Sequence, residues 1–228
     1  MIGIRFAVVF LLALAILSRN SLAEDAIKQA DVDSLVKPLI ENNDVVALVI
    51  GVLRNGEEQV FTYGSVVPNG TERPDKRTIF EIGSITKTFT GLLLAELVEE
   101  GAVRLDDPIS KYLPANTQAP RWGHDEIRLI DLATHTSGLP RMPTNFVSRD
   151  VSNLYADYSS NQLLEYLRSE ARGNVGRSFL SAFTPAKRPS HKYSNVGIGL
   201  LGYLLSRAAN KPYEQLLIEK VCDPLGLD

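Results

Sequence analysis

The first third of the chain carries one helical pattern followed by two strand-like patterns. Between residues 24 and 43, apolar positions recur at helical spacing, which predicts an amphipathic helix with Pro38 as a kink or a restart. These positions are Val32, Leu35, Val36, Leu39 and Ile40. A β-branched run at 45–53 and an alternating run at 59–63 then flank Asn55-Gly56. Asn-Gly between two such runs is the strongest short hairpin signal, so we expect a β-hairpin.

After residue 80 the pattern becomes mainly helical. Residues 84–100 are apolar on most sides and stop at Gly101, which predicts a buried core helix, and a short β-like stretch at 79–82 precedes it. Further helices are expected at 127–134, 160–169, 197–209 and 213–221. Because an isolated hairpin is marginal in water, we expect the missing strands to lie beyond Asp228, which makes this chain the front part of a longer protein.

The amino terminus has the pattern of a secretory signal. Arg5 precedes an unbroken apolar stretch at 6–17, and the small residues Ser21 and Ala23 close it. This predicts a signal peptide over residues 1–23, an exported chain that is periplasmic or secreted, and no membrane span after cleavage. An uncleaved anchor is the alternative, although the apolar run is short for a bilayer.

Composition narrows the function classes. The net charge is −3 with acids and bases interspersed, which argues against nucleic acid or anionic lipid as a partner. The single cysteine, Cys222, cannot form an internal disulfide, and we expect a buried, unreactive thiol.

Two Ser-x-x-Lys sequences are candidates for a nucleophile with its base. Ser34 and Lys37 lie on the polar side of the first predicted helix, which favours solvated surface. Ser84 and Lys87 instead open the buried helix, where a lysine is unfavourable for capping. Residues three apart share a helix face, so the amine can lie beside the hydroxyl. In an apolar site the pKa of the amine falls and it can accept the serine proton, while free N–H groups at the helix start can stabilise an oxyanion.

A Tyr-x-Asn sequence just before a later helix is a second candidate. A phenol such as Tyr193 near a lysine cation loses its proton more easily and can act as base, and the Asn195 amide can hold a substrate carbonyl. The alternative is a turn asparagine beside a half-buried tyrosine.

Four segments together carry a family resemblance. They are "GSITKTFTGLLLAELVEEGAVRLDDPISKYLP", "IRLIDLATHTSGLPR", "YSNVGIGLLGYLL" and "DPLGL". Their order and separations resemble class C β-lactamases, D-alanyl-D-alanine peptidases and serine esterases of the same fold, from about residue 40 to the end. The segment "PTNFVSRDVSNLYADYSSNQLLEYL" is most similar to the D,D-peptidase-like branch.

The resemblance implies an α+β fold in which an antiparallel sheet is flanked by helices and joined to a mostly helical subdomain. Residues 24–228 would form an incomplete domain of this type, with the first helix and hairpin at 24–79 and the mainly helical part at 80–228. By the same resemblance, Ser84 forms an acyl-enzyme, Lys87 and Tyr193 share proton transfer, and Asn195 contacts the acyl amide. No cofactor or metal is implied, and the substrate would be a β-lactam, a D-Ala-D-Ala peptide or an ester.

The sequence also departs from the family pattern. The third motif, Lys or His followed by Thr or Ser and Gly, would come after residue 228, together with a strand that supplies an oxyanion N–H. Ala186 follows Pro185 where the family usually has glycine. The alternative function is therefore a truncated or degenerate penicillin-binding module without turnover.

Other site classes have weaker support. Gly197, Gly199 and Gly202 match a dinucleotide fingerprint, but the preceding "KRPSHKYSN" is not a buried strand, so helix-packing glycines are favoured. The sequence has three histidines, His124, His135 and His191. Their spacing is not that of metal ligands, and no serine has the glycines of a nucleophile elbow. We expect His135, in "HTSGLP", to be a structural hydrogen-bonding residue.

Overall fold

The chain divides into two units, and the division falls between Glu81 and Ile82. The computed structural model describes residues 26–122, 125–171 and 190–227. The predicted signal peptide lies outside these ranges, as do His124, Pro185 and Ala186. The predicted subdivision after residue 79 is close to the division between the units.

The first unit is a helix packed on a hairpin. Helix α1 spans Gln29–Glu41, and strands β1, Ala47–Arg54, and β2, Glu57–Gly64, pair antiparallel. Asn55 and Gly56 join the strands with φ of 52° and 84°. Two consecutive positive φ values are those of the tight turn that Asn-Gly favours, so the predicted hairpin is confirmed.

The buried face of α1 is narrower than its pattern predicts. Val32 and Val36 are buried and contact Phe61 and Tyr63 of β2, with Ile40 partly buried. Leu35 is 75% exposed and Leu39 is also exposed, so their assignment to the packed face is wrong. Positions 32, 36 and 40 form one stripe at i, i+4 spacing, and a hairpin of two strands is wide enough to cover only that stripe. The helix runs through Pro38 without a restart.

The second unit is mainly helical. A 3₁₀ turn, Gly83–Ile85, leads into α2, Thr86–Glu99, and a second 3₁₀ turn spans Ile109–Lys111. Two short strands of two residues each, β3, Arg121–Trp122, and β4, Asp125–Glu126, pair antiparallel. The later helices are α3, Leu129–Ala133; α4, Ser160–Ala171; α5, Asn195–Ala209; and α6, Tyr213–Leu217. A π-helical turn, Ile218–Cys222, and the short α7, Asp223–Leu225, complete the described part.

Leucines from these helices form the core of the second unit. Helices α2 and α5 pack against each other, and α3 and α6 contact α5. Leu93 and Leu97 of α2 and Leu200, Leu201 and Leu204 of α5 are fully or almost fully buried in one cluster. The packing brings the N-terminal turns of α2 and α5 into one region, and both candidate motifs lie there.

A segment before α2 and one residue near the end of the second unit differ from the sequence predictions. Residues 79–82 form no strand, and Ile79 is 96% exposed. Apolar character alone predicted a strand there, but the segment has no pairing partner among the described residues. Cys222 is half-buried rather than buried, whereas its neighbour Val221 is buried.

Over the ranges 26–122, 125–171 and 190–227, no helix is both long enough and apolar enough to span a bilayer.

Candidate active site

Ser84 and Lys87 lie at the junction of a 3₁₀ turn and an α-helix. Gly83 opens the turn with φ of 52°, a conformation that glycine adopts without strain. Ser84 is therefore one turn before α2 rather than its first residue, and Lys87 is the second residue of α2. Lys87 Nζ donates to Ser84 Oγ at 3.1 Å, as the three-residue spacing predicted.

Tyr193 comes to this pair from the segment before α5. Its hydroxyl lies 2.6 Å from Ser84 Oγ, a hydrogen bond in which either oxygen could donate. Lys87 Nζ lies 5.0 Å from the centre of the tyrosine ring. The structure thus brings Ser84, Lys87 and Tyr193 into one hydrogen-bonded group, which we call the catalytic trio after the role that the family resemblance implies for it.

The surrounding charges favour the ionised phenol. The hydrogen bonds from Lys87 and Ser84 lower the pKa of Tyr193 below its ordinary value, with further lowering from the positive charges of Lys87 and Arg141. The Arg141 guanidinium lies 5.6 Å from the ring centre. Desolvation opposes these effects but is outweighed. The contacts of Tyr193 therefore make its hydroxyl lose its proton more easily.

The trio is partly open to water within the described residues. Ser84 is exposed, and Lys87 and Tyr193 are half-buried. The predicted activation depends on an apolar surrounding that removes water from the amine. That dry surrounding stays a prediction, and the contacts of the serine hydroxyl that the structure shows are those with Lys87 and Tyr193.

Asn195 lies near the trio in sequence but makes different contacts. It is the first residue of α5, and its side-chain Nδ2 contacts Met142 Sδ at 3.4 Å. Its Oδ1 is buried without a hydrogen-bond partner in the described structure. The backbone N–H of Asn195 donates to Arg141 O at 2.9 Å. The segment 141–142 thus fixes the position of the amide, and its predicted contact with an acyl group stays a prediction.

The buried Ser194 anchors the start of α5. Its hydroxyl accepts the Gly197 N–H at 2.9 Å and donates to Pro140 O at 2.7 Å. This is an N-cap that also ties the helix to the "HTSGLP" segment. Ser194 is fully buried, so Tyr193, its neighbour, starts from a fixed backbone.

His135 makes the hydrogen bonds that the sequence predicted for it. Its Nδ1 accepts the Ser194 N–H at 3.2 Å, and its backbone oxygen accepts the Lys192 N–H at 2.8 Å. The sequence did not predict that the imidazole also stacks on Tyr193, with ring centres 4.7 Å apart. Nor did it predict the positions of Arg141 and Met142, which directly follow "HTSGLP". The available signal for these contacts was the order of the motifs, because the "HTSGLP" segment and the Tyr-x-Asn segment were both expected near the start of the same helix.

The second Ser-x-x-Lys sequence does not form a pair. Ser34 donates to Asp31 O at 2.7 Å, and Lys37 forms an ion pair with Asp33 at 2.9 Å. Both side chains are exposed. This agrees with the interpretation of Ser34 and Lys37 as solvated surface.

The glycines of the dinucleotide fingerprint differ in what surrounds them. Residues 190–194, which precede α5, form no strand, and a Cβ at Gly202 would lie 3.0 Å from the Tyr213 ring, which confirms that this glycine permits close packing. Gly199 has open space, so packing does not explain it.

No group of three or more potential metal ligands from His, Cys, Asp and Glu comes together among the residues that the structure describes.

Comparison with known proteins gives these segments a family context. A family model described as Beta-lactamase matches residues 32–228. A beta-lactamase from Pseudomonas fluorescens is 33% identical over 200 residues, which covers 86% of this chain and 48% of that protein. The D-alanyl-D-alanine-carboxypeptidase/endopeptidase AmpH of Escherichia coli K12 is 34% identical over 178 residues, which covers 77% of this chain and 43% of that protein. The chain thus spans about half the length of the curated relatives it matches.

A solved structure supports the same relationship. The beta-lactamase/D-alanine carboxypeptidase from Yersinia pestis, complexed with citrate, is 28% identical and superposes with a TM-score of 0.70. The match covers 87% of this chain and 55% of that one. The predicted α+β fold of the β-lactamase/transpeptidase type is therefore confirmed for this chain.

Proposed function

The chain belongs to the beta-lactamase family, and from this premise we propose that it acts as an exported serine hydrolase through an acyl-serine intermediate. The observation that carries the proposal is the catalytic trio: Ser84 Oγ accepts from Lys87 Nζ and lies 2.6 Å from the Tyr193 hydroxyl. A serine hydroxyl held between an amine and a phenol has adjacent groups that can accept its proton, which is one way to activate a nucleophile.

In the proposed reaction Ser84 Oγ attacks the carbonyl carbon of a β-lactam, a D-Ala-D-Ala peptide or an ester. Its proton passes to the phenolate oxygen of Tyr193, and the nearby Lys87 ammonium stabilises that phenolate beforehand. The carbon–nitrogen or carbon–oxygen bond then breaks, and the leaving group takes the proton from Tyr193. Water attacks the acyl-serine ester next, which releases the carboxylic acid and restores Ser84.

Asn195 is the proposed contact for the acyl amide. The support is its buried Oδ1, which has no partner within the described structure. An unpartnered buried acceptor carries a free-energy cost that a substrate N–H would remove. Rotation of the amide away from Met142 would be needed to present that oxygen.

The experiment is covalent labelling with a fluorescent penicillin, read on a denaturing gel. We expect label on the wild-type chain and none on Ser84→Ala. Ser34→Ala is the matched control, since it has the same spacing to a lysine but no contact with it, and it should label like wild type. Label that persists in Ser84→Ala would remove the nucleophile assignment.

A second candidate function is a penicillin-binding module without turnover. The observation that favours it is a departure from the family pattern, Ala186 after Pro185 where the family usually has glycine. Turnover is measured with a chromogenic β-lactam, a D-Ala-D-Ala peptide and a p-nitrophenyl ester. Label that forms but never decays, with no product from these three substrates, would favour the second candidate over the hydrolase.

Export is a separate proposal that rests on the apolar stretch at 6–17 and the small residues that close it. The expected mature product begins at Glu24. Mass spectrometry of the protein from the periplasm or medium tests this. An intact first methionine on the exported protein, or its confinement to the cytoplasm, would contradict the proposal.

A further inference from the structure

One residue holds the backbone on both sides of Tyr193. The backbone oxygen of His135 accepts the N–H of Lys192 at 2.8 Å, and the imidazole Nδ1 accepts the N–H of Ser194 at 3.2 Å. These are the residues immediately before and after the tyrosine. Since two fixed peptide groups leave Tyr193 little backbone freedom, His135 sets where its side chain starts.

The imidazole also contacts the tyrosine ring directly. The two rings are 4.7 Å apart between centres and tilted by 34°. His135 adopts φ of 59°, a left-handed conformation that is uncommon for residues other than glycine, asparagine, aspartate and histidine. This backbone conformation occurs in the same residue that supplies both hydrogen bonds and the ring contact.

The hydrogen bond from Ser194 fixes the protonation state of the imidazole. Nδ1 can accept an N–H only when it carries no proton, so the proton of the neutral ring is on Nε2. When the ring gains a second proton, Nδ1–H and the Ser194 N–H are two donors facing each other, and the bond is lost.

We propose that His135 is a positioning residue for Tyr193, which holds the tyrosine against Ser84 in the neutral Nε2–H form and releases it on protonation. The consequence for chemistry rests on the proposed function, whereas the tautomer and the positioning can be measured without it. The expected result is a second fall in the acylation rate at acid pH, which adds to the fall caused by protonation of the Tyr193 phenolate and comes from a residue outside the catalytic trio. We call this second fall the acid limb.

The groups around the imidazole set the pH of this release. Burial, the neighbouring His191 and the Lys87 cation lower the pKa of His135 below the ordinary histidine value. His191 lies edge-on at 5.6 Å, Lys87 comes from α2, and Arg141 lies 5.6 Å from the centre of the Tyr193 ring. All of these groups disfavour a further positive charge. The release therefore occurs at a pH below about 6.5.

The first experiment measures the tautomer by long-range ¹H–¹⁵N NMR of the histidine rings in the full chain. We expect His135 to carry its proton on Nε2 at neutral pH, to titrate below the ordinary histidine range, and to move the Tyr193 ring signals in the same transition. A proton on Nδ1 at neutral pH, or Tyr193 signals that ignore the titration, would overturn the proposal.

The second experiment separates the acceptor from the ring. His135→Asn places a side-chain oxygen near the position of Nδ1 and tolerates a positive φ, but it cannot titrate. His135→Ala loses both the acceptor and the ring. We expect His135→Asn to keep most of the penicillin-labelling rate while losing the acid limb, and His135→Ala to lose on the order of 10- to 100-fold in rate through misplacement of Tyr193.

His191→Asn is the matched control. His191 is exposed and touches the edge of the His135 ring without holding the tyrosine backbone. Its replacement should keep the rate and move the acid limb to slightly higher pH, because one of the groups that disfavour protonation is gone. An acid limb that survives in His135→Asn, or a wild-type rate and profile in His135→Ala, would overturn the positioning role.

If the wild-type chain takes no label at all, the proposed function fails and the NMR measurement decides the positioning role by itself. In that case the Tyr193 signals should be dispersed in wild type and in His135→Asn but averaged in His135→Ala. Equal Tyr193 signals in all three proteins would overturn it.

Discussion

The Tyr193 hydroxyl lies 2.6 Å from Ser84 Oγ, although 109 residues separate the two along the chain. The contact joins the turn before α2 to the segment before α5, whereas Lys87 reaches the same serine over three residues. Local helix geometry thus brings Lys87 to Ser84, and tertiary packing brings Tyr193 to the same serine.

Tyr193→Phe should slow penicillin labelling by about 10²- to 10⁴-fold, the usual contribution of a general acid–base residue. The ring and its contact with His135 are retained, so folding should be unchanged. The measurement is the labelling rate, with circular dichroism as the check on structure. Tyr158→Phe is the matched control, because that hydroxyl donates to Asn145 at 2.9 Å instead. Equal rates in the two variants would contradict the proton-transfer role.

The labelling rate should rise with pH above neutrality, because the pKa of Tyr193 is lowered and the phenolate fraction grows as the pH passes through it. The apparent pKa of this rise should fall below about 10, the value of free tyrosine. Arg141→Met should move it to higher pH, since that cation is among the groups that lower it. The measurement is the rate between pH 6 and 10, and a flat alkaline profile would count against Tyr193 as the base.

Leu93→Ala should lower the free energy of unfolding by about 2–5 kcal/mol, because the side chain is fully buried and its removal leaves a cavity. Leu92→Ala is the matched control one residue away in the same helix. Its side chain is 46% exposed, and the expected loss is less than about 1 kcal/mol. Urea unfolding compares the two variants, and equal losses would show that α2 is not packed as described.

Gly202→Ala should be less stable than Gly199→Ala by about 1–3 kcal/mol. A Cβ at Gly202 would lie 3.0 Å from the Tyr213 ring, and that ring is held by a 2.7 Å hydrogen bond to Thr90. A Cβ at Gly199 meets nothing within 4 Å, so alanine there should stabilise the helix by about 0.5–1 kcal/mol. Thermal unfolding of both variants tests the difference, and a more stable Gly202→Ala would contradict it.

Short-range features of the chain were predictable from the sequence. Asn55-Gly56 fixes the hairpin through its own backbone preference, and the Ser84–Lys87 spacing fixes their contact through helix geometry. The meeting of Ser84 with Tyr193 could not be derived from spacing, because it depends on how α2 packs against α5. It was expected only through the family resemblance of the ordered motifs.

The errors arose where the outcome depends on what covers a side chain. Leu35 has the spacing of a buried position, but the two-stranded hairpin reaches only the stripe of Val32 and Val36. The dry surrounding expected for the amine of Lys87 depends on the same kind of cover, and it stays a prediction. Periodicity gives the face of a helix but not the extent of its partner.

The leucine seam between α2 and α5 has a consequence for the reacting atoms. Since Ser84 lies just before α2 and Tyr193 lies just before α5, the leucines packed between the two helices help to set the separation of the two hydroxyls. A bulkier side chain there would move Ser84 and Tyr193 apart while leaving both groups chemically intact. If the proposed reaction occurs, its rate is therefore open to change by substitutions far from any substrate.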